Sequence, residues 1–364
     1  MKIGNVTIEP KLALAPMAGV TDYAFRRMCI RFGAEYTVSE MVSAKAMHYR
    51  DLKTAQLARV RRDELPMAIQ IFGSEPEIMA EAAEMLEKGS YRGCISEVPP
   101  SAIDINMGCP VKKIVTNGEG SALLKTPEKA FDIVRATVRA TSLPVTVKIR
   151  LGWDKDSINA CEVALAVQEA GCAALTVHGR TREQLYRPGV DYEAIARVKD
   201  AVKIPVIANG DITSAAIAKK VKEETACDGL MIARGAEGNP MLFAEIVAAL
   251  EGREYQGLSV NELLAMAREH VSLLCEDKGE EIGIREARKH LAWYVKGIRG
   301  AAAFRNTVNN TWSLASLLCG IIGTVTASFG FSGIILGVCA VVFAIVSRRI
   351  LGYFDVKSIA GLIF

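Results

Sequence analysis

Histidine is scarce in these 364 residues, and paired cysteine spacing is missing: four histidines and nine cysteines occur, with no C-x-x-C and no Cys/His cluster. That argues against a structural zinc site and a disulfide framework, gives no sign of a bound metal, and suits a reducing compartment. A dominant charge is missing too. Lys and Arg number 44 and Asp and Glu 41, for a net charge of +3, too small to argue nucleic-acid binding by the chain as a whole. The opening residues Met1-Lys2-Ile3-Gly4-Asn5 carry no long apolar stretch, so no secretory leader is expected and the chain enters its first strand directly.

Charge is absent altogether from 306–347, which is rich in Leu, Ile, Val, Gly and Ala and closes on Arg348-Arg349. About 20 apolar residues suffice to cross a bilayer. A glycine-containing break near 326–333 divides the segment into two short spans, 313–328 and 331–347, with Arg305 before them. Basic flanks at both ends predict a transmembrane hairpin with both ends cytoplasmic. The tail 311–364 is therefore expected to anchor a cytoplasmic catalytic part through 313–347. A buried apolar tail and a foreign fusion are the alternatives.

What is present is a rhythm. Eight short apolar runs lie at 12–17, 36–42, 67–73, 102–109, 144–152, 174–180, 204–212 and 229–236, each ending in glycine or a polar or charged residue. Segments of helical period lie between them, as at 127–141 and 157–170. Pro99-Pro100 makes 91–101 an irregular connection. Alternating strands and helices in this number predict an α/β chain built on a closed (β/α)8 TIM barrel over 1–240, with its chemistry at the C-terminal strand ends. From 241 the strands stop, and helical periodicity at 261–277 and 284–298 predicts a small all-α domain over 241–310. There Arg285, Arg288, Lys289, Lys296, Arg299 and Arg305 recur at helical spacing with His290, Trp293 and Tyr294 interleaved. Such a stripe is either a solvated helix face or a phosphate-binding surface with aromatics able to stack on bases.

The polar residues at the strand ends are the candidate site. Lys148 interrupts the run Val145-Thr146-Val147-Lys148-Ile149, and alternation points it into the barrel mouth. A lone ammonium there is costly, so it wants an anionic partner, from protein or ligand. Gln70 is a structural hydrogen bonder or a reader of a heterocycle's edge. Cys109, between Gly108 and Pro110, is either a small buried hydrophobe or a catalyst. Asn209-Gly210-Asp211 after the seventh run and Ala233-Arg234-Gly235 after the eighth fit the phosphate site common in such barrels, with Arg234 as the cation. His178 is either a satisfied core histidine or, beside that phosphate site, a contact to cofactor or substrate, and Asn106 and Arg180 are expected at the substrate.

Taken together, Leu14-Ala15-Pro16-Met17-Ala18-Gly19-Val20-Thr21-Asp22, Gln70-Ile71-Phe72-Gly73, Asp104-Ile105-Asn106-Met107-Gly108-Cys109-Pro110, Val147-Lys148-Ile149-Arg150, Val177-His178-Gly179-Arg180-Thr181, Ala208-Asn209-Gly210-Asp211-Ile212 and Ile232-Ala233-Arg234-Gly235 resemble the bacterial tRNA-dihydrouridine synthases over about 1–310. The resemblance implies an FMN-bearing barrel, a helical domain that holds tRNA, and NADPH or NADH as reductant. It implies Pro16, Met17 and Ala18 at the isoalloxazine, Gln70 at its pyrimidine edge and Lys148 near its reducible end. It also implies Asn209, Gly210, Asp211, Ala233 and Arg234 at the phosphate, and Cys109 as general acid. Arg285, Arg288 and Lys289 would grip the tRNA backbone. No obligate protein partner is expected. After about residue 310 the family pattern gives way to the apolar tail, which resembles small bacterial membrane proteins of several spans. The rival expectations are a flavin reductase of a free pyrimidine or enone, in the manner of dihydroorotate dehydrogenases, and a non-catalytic RNA-binding or membrane scaffold.

Overall fold

The computed structural model describes residues 1–302 except 10, 92–93 and 298–300, together with Arg305. The apolar segment 306–364, and with it the expected hairpin at 313–347, lies outside the described residues. Among the described residues no helix is long and apolar enough to cross a membrane.

Eight parallel strands form the barrel: β1 Leu12–Leu14, β2 Tyr36–Val38, β3 Met67–Phe72, β4 Ala102–Met107, β5 Val145–Arg150, β6 Ala174–His178, β7 Val206–Asn209 and β8 Gly229–Ile232. Each starts within two residues of an apolar run but stops earlier, so the polar end of the run falls in the following loop. Neighbours pair in chain order, β8 pairs with β1 (Leu230↔Leu12, Ile232↔Leu14), and β2 pairs with β3, which closes the sheet. The two-residue strand Val42–Ser43 adds to β3.

The helices between the strands follow local rules. Pro76 and Pro127 open helices Pro76–Glu87 and Pro127–Ala140, where a missing N–H is harmless. The Asp191 and Ser214 side chains accept from Ala194 and Ile217 N–H at the starts of Tyr192–Ala201 and Ala215–Thr225. In Pro127–Ala140, Ala130, Ile133, Val134 and Thr137 form the buried stripe, the i, i+3, i+4, i+7 pattern of a helix lying on a sheet.

Two features depart from the sequence reading. The chain does not enter β1 directly: Lys2–Ile3 and Val6–Thr7 pair as an antiparallel hairpin around Gly4, whose φ is +57°. Its Ile3 and the following Ile8 are fully buried against Ala13, Tyr36, Val38, Ala68, Ala102, Ala174, Ile207 and Met231, which form the lower core of the barrel. Burial of each isoleucine contributes about 1.5–3 kcal/mol. The connection before β4 also carries a small antiparallel pair, Ser90–Tyr91 with Cys94–Ile95, inside a stretch expected to be irregular.

The chain divides into two compact units. The first comprises Met1–Asp22, Cys29–Ala236 and Leu242–Tyr255, so it runs beyond 240 to include helix Leu242–Leu250. The second gathers Tyr23–Met28, Glu237–Met241 and the described residues from Gln256 onward. Its main helices, Val260–Lys278 and Glu280–Tyr294, are separated by Gly279. Ser259 and Glu262 form a reciprocal capping box at the start of the first. Gly283 lies so near the other helix that a Cβ there would sit 2.7 Å from the Cys275 backbone. Between them pack Phe25, His270, His290 and Tyr294, with the imidazole centroids 4.4 Å apart and the Tyr294 hydroxyl 2.8 Å from His270 Nδ1. This corrects the interleaved-aromatic reading. His290 and Tyr294 are buried on the inner stripe and are not available to bases, while Arg285 is exposed and Arg288 and Lys289 are half-buried.

Candidate active site

Strand alternation brings one polar residue after another to the barrel interior. Above the apolar lower layer, Gln70 of β3, Asp104 of β4 and Thr146 of β5 stand side by side in register. Gln70 Nε2 donates to Asp104 Oδ2 at 2.7 Å, and Thr146 Oγ1 donates to Asp104 Oδ1 at 2.6 Å. Burial raises the Asp104 carboxyl, opposed by those two donors and by the charge of Lys148. One layer higher, Asn106 Nδ2 donates to Gln70 Oε1 at 2.8 Å and to Met41 Sδ at 3.7 Å. Gln70 is therefore wholly buried and held by its neighbours, at the depth of the mouth's floor.

The same Asn106 fixes the turn that follows β4. Its Oδ1 accepts from the N–H of Gly108 at 3.1 Å and of Cys109 at 2.9 Å. This side-chain turn lifts Cys109 off the strand axis, leaving the thiol half-exposed at the rim. Partial burial raises the thiol above its ordinary value, against the lowering effects of the Val111 N–H and the Arg150 charge. Near neutrality it is a protonated thiol.

Cations dominate the rest of the mouth. The Lys148 ammonium donates to Asn209 Oδ1 at 3.0 Å. Desolvation, and then the charge of Arg150, bring it down to about 8. The Asn209 amide in turn donates to the Met231 carbonyl at 2.8 Å. Arg150, two residues on and on the same face of β5, donates to the carbonyls of Gly108, Thr181 and Leu185 at 2.8, 3.0 and 2.9 Å. Desolvation lowers it to about 10. His178 is buried, and desolvation with the surrounding Lys148, Arg150, Arg180 and Arg234 keeps its imidazole neutral.

Arg180 is 1% exposed; its guanidinium grips both oxygens of Asp211, donates to the Arg187 carbonyl at 2.8 Å and touches His178 Nε2 at 3.3 Å. These contacts tie the Arg180 guanidinium to the loops after β6 and β7. Asp211 also receives Arg234 at 3.0 Å, and the Arg180 hydrogen bonds hold its carboxyl below the usual range. The turn carrying it needs glycine: Gly210 has φ +136°, and a Cβ there would lie 2.9 Å from Val190. A Cβ on Gly235 would lie 2.1 Å from the Ile212 carbonyl oxygen. The loops after β7 and β8 therefore approach each other as bare backbone, a shape that suits phosphate. Pro16 and Met17 follow β1 half-buried, Ala18 is exposed and Ala233 half-buried, all on the C-terminal side of the barrel. Arg285, Arg288 and Lys289 belong to the second unit.

Arg150 appeared in the sequence reading within Val147-Lys148-Ile149-Arg150 but with no role given. Two residues escaped it, Asp104 and Tyr186, and Asp104 was legible as a carboxylate in the middle of an apolar alternating run. Tyr186 carried no such signal; it lies in the loop after β6 with the guanidinium carbons of Arg150 and Arg234 at 5.6 and 4.6 Å from its ring centre.

A closed parallel barrel with a cationic mouth and a thiol at its rim defines a (β/α)8 enzyme with its chemistry at the C-terminal face. Among solved structures the fold is similar to a 2-naphthoyl-CoA reductase complex (TM-score 0.51, 13% identity, 70% of this chain and 52% of that one). It is also similar to histamine dehydrogenase from Rhizobium sp. 4-9 (TM-score 0.52, 13% identity, 75% of this chain and 50% of that one). The chain thus spans about half the length of each, and the likeness is one of fold. Residues 13–319 match the family described as Dihydrouridine synthase (Dus). The chain belongs to the dihydrouridine synthase family, and the match continues past residue 310, where the sequence reading ends the family pattern. A probable tRNA-dihydrouridine synthase of Rickettsia conorii is 43% identical over 311 residues, 85% of this chain and 91% of that protein. tRNA-dihydrouridine synthase B of Pseudomonas aeruginosa is 44% identical over 312 residues, 85% and 91% of the two chains. The Vibrio parahaemolyticus protein of that name is 43% identical over 311 residues, 85% and 94%.

Proposed function

We propose that this chain reduces the C5=C6 bond of uridine in tRNA, with FMN as resident cofactor and NADPH as the reductant. The observation that carries the reading is the pairing of a protonated, half-exposed Cys109 thiol with a mouth whose cations outnumber its carboxylates. Lys148, Arg150, Arg180 and Arg234 face Asp104 and Asp211 there. Such a mouth favours an anionic occupant. Lys148, Asn209, Gly210, Asp211, Ala233 and Arg234 would hold the flavin and its phosphate, with the Gln70 amide beneath and Pro16, Met17 and Ala18 alongside. The reduced flavin, when bound, supplies the hydride that adds to C6 of the uracil.

The protein's own part is positional and acidic. Lys148 places a positive charge where electron density accumulates. Neutral His178 adds a hydrogen-bonding ring without further charge. Asn106 sets the turn that aims the thiol, and Cys109 donates its proton to C5 as the C4 carbonyl side releases its enolate charge. The resulting thiolate recovers a proton from solvent. Uridine thus gains two hydrogens, one as hydride and one as proton. Arg285, Arg288 and Lys289 on the helical domain, taken as 241–310, would bind the tRNA backbone. Incubation of the purified protein with NADPH and tRNA lacking dihydrouridine tests the reading. Mass analysis should find a gain of two hydrogens at particular uridines, whereas turnover of free pyrimidines with no change in tRNA would overturn it.

A further inference from the structure

The loop after β6 carries a strain that a plain connection does not need. Leu185 has φ +53°, a left-handed conformation that a branched, non-glycine residue seldom adopts, and it is 44% exposed. The next residue, Tyr186, is 55% exposed. Two guanidiniums hold this tip from below. Arg150 donates to the Thr181 and Leu185 carbonyls, and buried Arg180 donates to the Arg187 carbonyl. Within the loop, Leu185 N–H donates to the Arg182 carbonyl at 3.2 Å, and Arg187 Nη2 donates to the Glu183 carbonyl at 2.9 Å. On its outer side the loop is fastened to the turn after β5 by Arg182 N–H to Gly152 and Glu183 N–H to Trp153, at 2.9 and 3.0 Å. Strain that the surroundings over-determine in this way points to a site.

The location indicates which site. Arg150 also holds the Gly108 carbonyl, so one guanidinium fixes the residue before Cys109 and the residue before Tyr186. The Arg150 and Arg234 guanidinium carbons lie 5.6 and 4.6 Å from the ring centre, and the ring stays more than half exposed. An exposed aromatic ring beside two cations at the rim suits an unpaired base attached to phosphate. Every base has a π-face, and RNA strands are gripped by stacking on aromatics in a positive field.

Building on the tRNA reading above, we propose that Tyr186 is a substrate-positioning residue that stacks on the base adjoining the reduced uridine, while that uridine enters the deeper mouth at Cys109. Stacking and charge differ in their response to salt. Removal of a stacking ring weakens binding at every salt concentration, whereas removal of a cation that pairs with phosphate also flattens the log–log salt slope by about one.

The test measures the affinity of flavin-loaded wild type, Tyr186→Ala and Tyr186→Phe for unmodified tRNA across a salt series, with bound flavin determined for each. Tyr186→Ala should bind roughly tenfold to a hundredfold more weakly with an unchanged slope, and Tyr186→Phe within about twofold of wild type. Flavin content should match in all three. Undiminished binding by Tyr186→Ala would overturn the proposal. So would a Tyr186→Phe defect as large as that of alanine, which would assign the role to the hydroxyl, or flavin loss in Tyr186→Ala, which would assign the ring to the cofactor. Failure of the wild type to convert tRNA uridine would instead sink the underlying reading, whatever Tyr186 does.

Discussion

The Lys148 ammonium donates to the Asn209 side-chain oxygen at 3.0 Å, joining β5 to β7 across the intervening β6. A neutral amide anchors this cation without neutralising it. Because desolvation has lowered Lys148 to about 8, its charge is present at pH 7 and fades as pH rises through that value. FMN affinity of the apoprotein should therefore fall by up to about tenfold between pH 7 and pH 9. Lys148→Met should bind more weakly throughout and show little of this dependence. Fluorescence titration of FMN at both pH values measures it; equal affinities in the wild type would remove the ammonium from the cofactor site.

Cys109→Ala should retain its flavin and the reduction of that flavin by NADPH, yet lose dihydrouridine formation by about 10²–10⁴-fold, the contribution typical of a general acid. Since the thiol is raised by partial burial, the acid form persists beyond the ordinary thiol value near 8.5 and is lost only above it. Single-turnover rates with pre-reduced enzyme, compared across pH, isolate this step from flavin reduction.

Asp104→Asn is not a conservative change here. The carboxylate accepts from Gln70 on one oxygen and Thr146 on the other, and Gln70 in turn accepts from Asn106. An amide at 104 either turns its N–H against the Gln70 donor or turns it toward Thr146 Oγ1, whose hydroxyl then accepts and loses its own acceptor. A cost of about 1–3 kcal/mol is expected for each buried group left unsatisfied. Thermal melting should register it as a drop of several degrees; an unchanged midpoint would mean the network rearranges freely.

Neutralising Arg285, Arg288 and Lys289 together should raise the KM for tRNA and flatten its salt dependence, by about one log unit of slope for each phosphate no longer paired with a cation. Flavin reduction should not change. A salt slope equal to that of wild type would return this stripe to an ordinary solvated helix face.

His290 gives the helical unit a pH dependence. It is buried, with no hydrogen-bond partner among the described residues on either ring nitrogen, and desolvation, then His270, Lys289 and Lys278, hold its pKa well below the usual value. The folded state keeps the ring neutral, while the unfolded chain takes up a proton below about pH 6.5. Its contribution is thus present above that pH and lost as pH falls, with a slope of at most about 1.4 kcal/mol per unit. Buried His178 acts in the same direction within the barrel. His290→Phe should make denaturant midpoints between pH 5 and 6.5 less sensitive to acid than those of wild type.

The barrel was legible because its signal is redundant: eight apolar runs, each closed by a polar break, leave few other architectures. Strand ends were less legible, since a run such as 204–212 continues through Gly210-Asp211-Ile212 after the strand Val206–Asn209 has stopped. Side-chain direction was read well where alternation decides it, as at Lys148, and poorly where a pairing partner decides it. The sequence did not show that Asp211, Arg187 and His178 gather around the Arg180 guanidinium, because those partners are set by the fold. His290 and Tyr294 of Glu280–Tyr294 were misread because one-dimensional interleaving says nothing about which stripe faces the neighbouring helix. Tyr186 was invisible for a similar reason: its setting is made by Arg150 and Arg234, each distant in sequence.

Closure of the barrel by β1 against β8 also sets a timetable for synthesis. Leu12–Leu14 leaves the ribosome early, but the edge it offers to Gly229–Ile232 stays open until about 215 further residues have been made. At roughly 5–20 residues per second this is an interval of about ten to forty seconds. Throughout it the nascent chain carries an apolar strand with unpaired backbone groups, the kind of edge that other chains can join. Slowed translation between residues 14 and 229 should therefore lower the yield of correctly closed protein without altering the stability of the molecules that do close.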